Sequence, residues 1–173
     1  MSLMTACKTK LTSKLVTMFP ERFATSHELH TLWRDRLRQA GLGVIETIEP
    51  VADATCFSRS WFDAASFAQQ HRTTCDAGDY LGRLLAMRVH HPAFRPDLLR
   101  SNVDGSLELR DASGLRGYKG TPLLAAAMPM LLALQSEFKP SRSQKLRFYK
   151  ALVSAWPAVP DGLHRLPRHR DFL

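Results

Sequence analysis

Gly114, Gly117 and Gly120 stand at spacings of three in the stretch GLRGYKGTP, with Arg116 and Lys119 in the gaps between them. Glycine tolerates positive φ and lets a ligand approach the main chain, so a loop of this kind can turn successive N–H groups inward around an anion. Thr121 as N-cap and Pro122 at the first helical position predict a helix directly after it, whose positive end would add to the same site. The expected chemistry is phosphate contact: charge-assisted hydrogen bonds from Arg116 and Lys119, with backbone donors at Gly117, Gly120 and Thr121. The spacing differs from G-x-x-x-x-G-K-[ST], and Pro122 removes one donor, so a basic hairpin end is the competing reading.

A second constellation is KPSRSQKLRFYKAL, residues 139–152. Lys139, Arg142, Lys145, Arg147 and Lys150 occur there without an acid, interleaved with Phe148 and Tyr149. Such a face can track phosphates, and its affinity would fall steeply with salt. The simpler account is the solvated basic side of an amphipathic helix. His164, Arg165, Arg168, His169 and Arg170 extend the positive run into the tail.

Two short likenesses touch these stretches. GYKG at 117–120 resembles the G-x-x-G loop of KH-type RNA-binding domains, which clamps nucleic-acid backbone. It covers four residues, a predicted strand precedes it and the apolar-glycine lead-in is absent, so no fold or residue role is carried over. RFYKAL at 147–152 resembles the Leu-Tyr-Arg signature of small mitochondrial assembly proteins, but with Phe148 and Lys150 where leucine and arginine belong, and far from the start of the chain.

Other chemistry is weakly signalled. His27 and His30 lie one helical turn apart in HELH, which is not H-E-x-x-H, and His90 and His91 adjoin Pro92, so no metal is expected. Cys7, Cys56 and Cys75 form no CxxC pair, and no G-x-S-x-G elbow is present. The reading leans away from an enzyme and implies no cofactor.

The elements that must position these residues come from a chain of 173 residues with 45% hydrophobic and 23% charged side chains, the profile of one ordinary domain. The net charge of +8 favours polyanionic partners. Residues 139–173 hold 8 basic and 2 acidic side chains, and residues 1–40 hold 7 and 3, so both ends are basic. The longest apolar run, 122–134, is too short to cross a bilayer. Three unpaired cysteines suit a reducing, intracellular compartment, the cytoplasm, with organellar targeting a lesser expectation.

Helical periodicity predicts an amphipathic helix at 8–18 and a clearer one opened by a Thr25/Glu28 capping box and stopped by Gly41. GVIETIE, 43–49, reads as a strand. Ser60 with Asp63 reads as a cap opening a helix to about His71, and Asp76–Val89 as a separate helix with Tyr80, Leu81, Leu84 and Leu85 inward. RVHHPAFR reads as a helix C-terminus. SLELR and LRGY around DASG suggest a β-hairpin. Pro129 either kinks the apolar helix or divides it. Ser141 with Gln144 caps a last helix with Leu146, Tyr149, Leu152, Val153 and Trp156 as its core stripe.

The expected fold is mainly α within the α+β class: one domain over 1–160, about six helices with a minor hairpin or small sheet, and a basic tail at 161–173. The expected function is non-enzymatic binding of a polyanion, RNA or DNA, or a place in a nucleoprotein assembly, through Arg116, Lys119, Arg142, Lys145, Arg147 and Lys150. The alternative is a protein–protein adaptor docking its basic ends on an acidic surface. A small enzyme acting on a phosphorylated ligand stands third.

Overall fold

The structure, a computed structural model, describes residues 25–46, 48, 58–102, 106–118 and 123–156. Among them are five α-helices and five short strands, a mainly helical fold with minor β structure. The predicted helix at 8–18, the domain limit at residue 160 and the tail at 161–173 lie outside the described residues.

The first helix, α1, spans Ser26–Gln39. The predicted box is present: the Thr25 hydroxyl accepts from the Glu28 N–H while the Glu28 carboxylate accepts from the Thr25 N–H at 2.7 Å. Gly41 ends it with φ +74°. The chain then enters β1, Gly43–Val44, far shorter than the predicted strand. A short α2, Arg59–Ala64, is followed by the long α3, Phe67–Ala86.

This part of the chain corrects the sequence reading. The caps are Ser58 for α2 and Ser66 for α3, the latter in a full box with Gln69. The break therefore falls at 65–66, and the two helices predicted on either side of residues 72–75 are one. Asp76 and Asp79, which a helix start at Asp76 would place in a first turn, stand mid-helix and pair with Arg72 and Arg83 one turn away. Tyr80, Leu81, Leu84 and Leu85 are buried as expected.

α3 ends where the sequence placed a helix C-terminus: Met87 is the C-cap and Arg88 follows with a left-handed φ of +58°, after which the chain turns into β2, Val89–His90. A 3-10 turn at Pro96–Leu98 leads to β3, Leu99–Ser101, and β4 is Leu107–Leu109. β5 is Arg116–Gly117. The predicted hairpin does not form: β4 lies between β1 (parallel) and β3 (antiparallel), while β5 pairs with β2. Local turn chemistry at DASG was outweighed by pairing of β4 with the preceding β3, Ser101 opposite Leu107, and with the distant β1, which buries Leu99, Leu107 and Leu109 on one side of the sheet.

The helix α4, Leu123–Phe138, runs through Pro129 without dividing; the proline sits on its exposed side and removes one helical hydrogen bond. Lys139 follows with φ +41°, and α5, Arg142–Ala155, opens with the predicted Ser141/Gln144 box.

Among the described elements, α3 packs most extensively against α5. Gly78 and Gly82, one turn apart on α3, lie against the Phe148 and Leu152 carbonyls and the methyl groups of Ala151 and Ala155. This close approach fixes which side of α5 faces inward. Tyr149, Leu152 and Trp156 are buried as expected, but Leu146 is 46% exposed and Val153 only half-buried, because small residues bring the helix in on its 148/151/155 side. The core then runs continuously from Trp33 and Leu37 through Leu84, Leu109 and Leu115 to Met130, Leu152 and Trp156.

Candidate polyanion interface

β2 positions β5, and α3 positions both β2 and α5, so the two sequence constellations hang on one long helix. In the loop constellation, the part that is described uses its polar groups internally. The Leu115 N–H donates to the Ala112 carbonyl and the Tyr118 N–H to the Arg88 carbonyl. The Arg116 guanidinium folds back, donating through Nη1 to the Ser113 and Leu115 carbonyls at 2.9 and 2.8 Å. Gly114 and Gly117 do not take positive φ; among the described glycines Gly41 does. Gly114 is small for a different reason: a Cβ there would stand 2.1 Å from Nε2 of His91. At Gly117 a Cβ would meet nothing. Lys119, Gly120 and Thr121 lie outside the described residues.

The imidazoles beside this loop are shifted toward their neutral form. Burial holds the His91 pKa below its ordinary value, with Arg116 and His90 acting in the same direction and Asp111 opposing. Burial lowers that of His90 too, again with help from Arg116.

His30 is part of the architecture. It is fully buried, its Nδ1 accepts from the Ala112 N–H at 3.1 Å, and its Nε2 donates to the Ile45 carbonyl at 3.2 Å. The ring thus holds α1 to the chain leaving β1 and to the turn after β4. Among the described residues no group of three or more His, Cys, Asp or Glu side chains could hold a metal ion.

The α5 constellation has a different character. Several other cations of the described chain face acids: Arg34 and Arg38 meet Glu46 at 3.1 and 2.5 Å, Arg59 meets Asp63, Arg72 meets Asp76, Arg83 meets Asp79, and Arg95 meets Asp97. These pairs hold the Glu46 carboxyl below its ordinary range, chiefly through the Arg38 hydrogen bond. On α5, Arg142, Arg147 and Lys150 are exposed and meet no carboxylate among the described residues. They span eight residues, about 12 Å along the helix axis. Lys145 departs from them. It is half-buried and lines an apolar cavity between α3, α4 and α5.

The fold and site together define a mainly helical domain with a small mixed sheet and one uncompensated basic helix face. Comparison with family models, with curated proteins and with solved structures finds no match. No helix among the described residues is long and apolar enough to cross a membrane. Cys75 is a free, half-buried thiol.

Proposed function

We propose that the protein binds a polyanion, RNA or DNA, through the solvent face of α5, as a non-enzymatic binding or assembly component. The supporting observation is the contrast between helices: Arg34 and Arg38 of α1, Arg59 of α2, and Arg72 and Arg83 of α3 face carboxylates, whereas Arg142, Arg147 and Lys150 project unpaired from a helix with no acid in it. A row of such cations releases counterions on meeting phosphates, which supplies affinity without reading sequence. Arg116 is folded back on its own turn, so the proposed contacts are those of α5.

A second reading, docking on an acidic protein surface, draws on Leu146, which lies exposed in the same helical row as Arg142 and Lys150. Titration of the full chain with mixed-sequence RNA and DNA over a range of salt decides between them. Salt-sensitive binding of nucleic acid supports the first reading. No association at low ionic strength overturns it and leaves the adaptor.

A further inference from the structure

An exposed apolar ring by itself asks for no explanation, but the position of Phe67 does. Its side chain is 81% exposed, the most of any large hydrophobic group among the described residues, on the first helical residue of α3 after the Ser66/Gln69 box. Phe67 lies about three turns before Gly78 and within about 20° of it around the α3 axis, so it belongs to the face that packs on α5. The two helices run parallel there, since Gly78 meets Phe148 and Ala151 while Gly82 meets Leu152 and Ala155. Three turns back, about 16 Å, is past the start of α5 and level with the corner at 138–140. Contacts on either side place the same corner there: Arg59 of α2 donates to the Phe138 carbonyl, the Phe62 and Phe138 ring centroids are 5.6 Å apart, and Thr74 of α3 shares an apolar lining with Pro140 and Gln144. α5 therefore begins beyond Phe67 and leaves its ring in solvent beside Lys139.

Lys139 is exposed and, like Arg142, Arg147 and Lys150, meets no carboxylate among the described residues. The ring thus stands at one end of a line of cations that runs about 17 Å from Lys139 to Lys150. A row of cations alone takes any phosphate backbone, whereas a free aromatic face adds a partner only for a base that is not already stacked. Inside a duplex both faces of each base are covered by its neighbours; a single strand can lay one base on Phe67 while its phosphates follow α5. An anionic membrane would meet a continuous apolar stripe best, and here Phe67 and Leu146 stand about 11 Å apart along the axis with Lys139 and Arg142 between them. We infer that the polyanion is single-stranded nucleic acid, held by stacking of one base on Phe67 and by phosphate contacts at Lys139, Arg142 and Lys150. The inference rests on the polyanion reading of α5 and narrows it to one form of nucleic acid.

The test is fluorescence anisotropy of the full chain with a short labelled mixed-sequence strand, the same sequence as a duplex, and an abasic strand of equal length, each titrated over a range of salt. The single strand should bind about five- to 150-fold more tightly than the abasic strand, which carries the same phosphates. It should also gain on the duplex as salt rises, because stacking releases no counterions. Phe67→Ala should weaken the single strand by about the same factor and leave the duplex and the abasic strand unchanged. The slope of log K against log salt should stay as it was, since no charge is removed, and Phe67→Trp should retain tight binding. The comparison of strands uses the unaltered protein, so it decides the matter even if a variant does not fold. Equal binding of the base-bearing and abasic strands, or single-strand binding by Phe67→Ala as tight as before, overturns the inference and leaves polyanion binding standing. Association with none of the three at low ionic strength overturns both. Loss of binding to phosphatidylglycerol vesicles in Phe67→Ala, with single-strand binding unchanged, also overturns the inference and makes a membrane surface the partner of the ring.

Discussion

Gly78 on α3 sits so close to Phe148 on α5 that a Cβ on the glycine would stand 2.3 Å from the phenylalanine's carbonyl oxygen. The obstacle is main chain and cannot rotate away. Gly78→Ala gains about 1 kcal/mol of helix propensity but must push the two helices apart, which costs more than that gain. A net loss of about 2 kcal/mol is expected in urea denaturation, and similarly for Gly82→Ala, whose Cβ would meet the Leu152 carbonyl at 2.6 Å. Gly117→Ala, with open space around it, should change stability by less than about 0.5 kcal/mol. Equal behaviour of all three variants would contradict the close packing of α3 on α5.

His30→Leu should cost about 2–4 kcal/mol, because it removes both hydrogen bonds of the buried ring and leaves the Ala112 N–H without its acceptor. The change is read as a shift of the denaturation midpoint at unchanged slope. A loss below about 1 kcal/mol would show that the tether is not structural.

Stability should fall as the solution is acidified below about pH 6.5, the ordinary histidine value. The pKa values of His90 and His91 are lowered in the folded state, first by burial. As pH falls through the ordinary value, the unfolded chain takes up these protons before the folded one does, so the equilibrium moves toward unfolding, and the decline levels off below the folded pKa values. Melting temperatures at steps between about pH 5 and 8 measure it, and His91→Gln should flatten the slope. A steeper slope in that variant would assign the effect elsewhere.

Neutralising Arg142, Arg147 or Lys150 should weaken nucleic-acid binding alike for different sequences. Each phosphate that is no longer neutralised should reduce the slope of log K against log salt by about 0.7–0.9. Arg34→Gln and Arg38→Gln should leave that slope unchanged, because both arginines already face Glu46. Identical effects in the two groups would make net charge, and not the α5 face, the determinant.

Local signals were the ones that survived folding. The boxes at Thr25/Glu28 and Ser141/Gln144 and the stop at Gly41 are read by groups three or four residues apart, so the sequence alone determined them, along with a mainly helical fold and a helix at 142–155 rich in cations. The end of α4 was harder to read because Lys139 occupies a left-handed position where glycine is the usual marker. Strand partners were not legible either, since two- and three-residue strands carry no period long enough to name a neighbour, and β1 found β4 across more than sixty residues.

The candidate site divided in the same way. Residue types showed which side chains are cationic, and nothing more was needed to single out 139–150. Only tertiary structure decided which cations are already spent on carboxylates, that Arg116 folds back on its own turn, and that Lys145 turns toward an apolar cavity while Arg147 and Lys150 face solvent. The physical reason is that a charge acts through what surrounds it. The rotation of α5 that sets those surroundings is fixed by Gly78 and Gly82, two residues without side chains some sixty to seventy positions away in the chain.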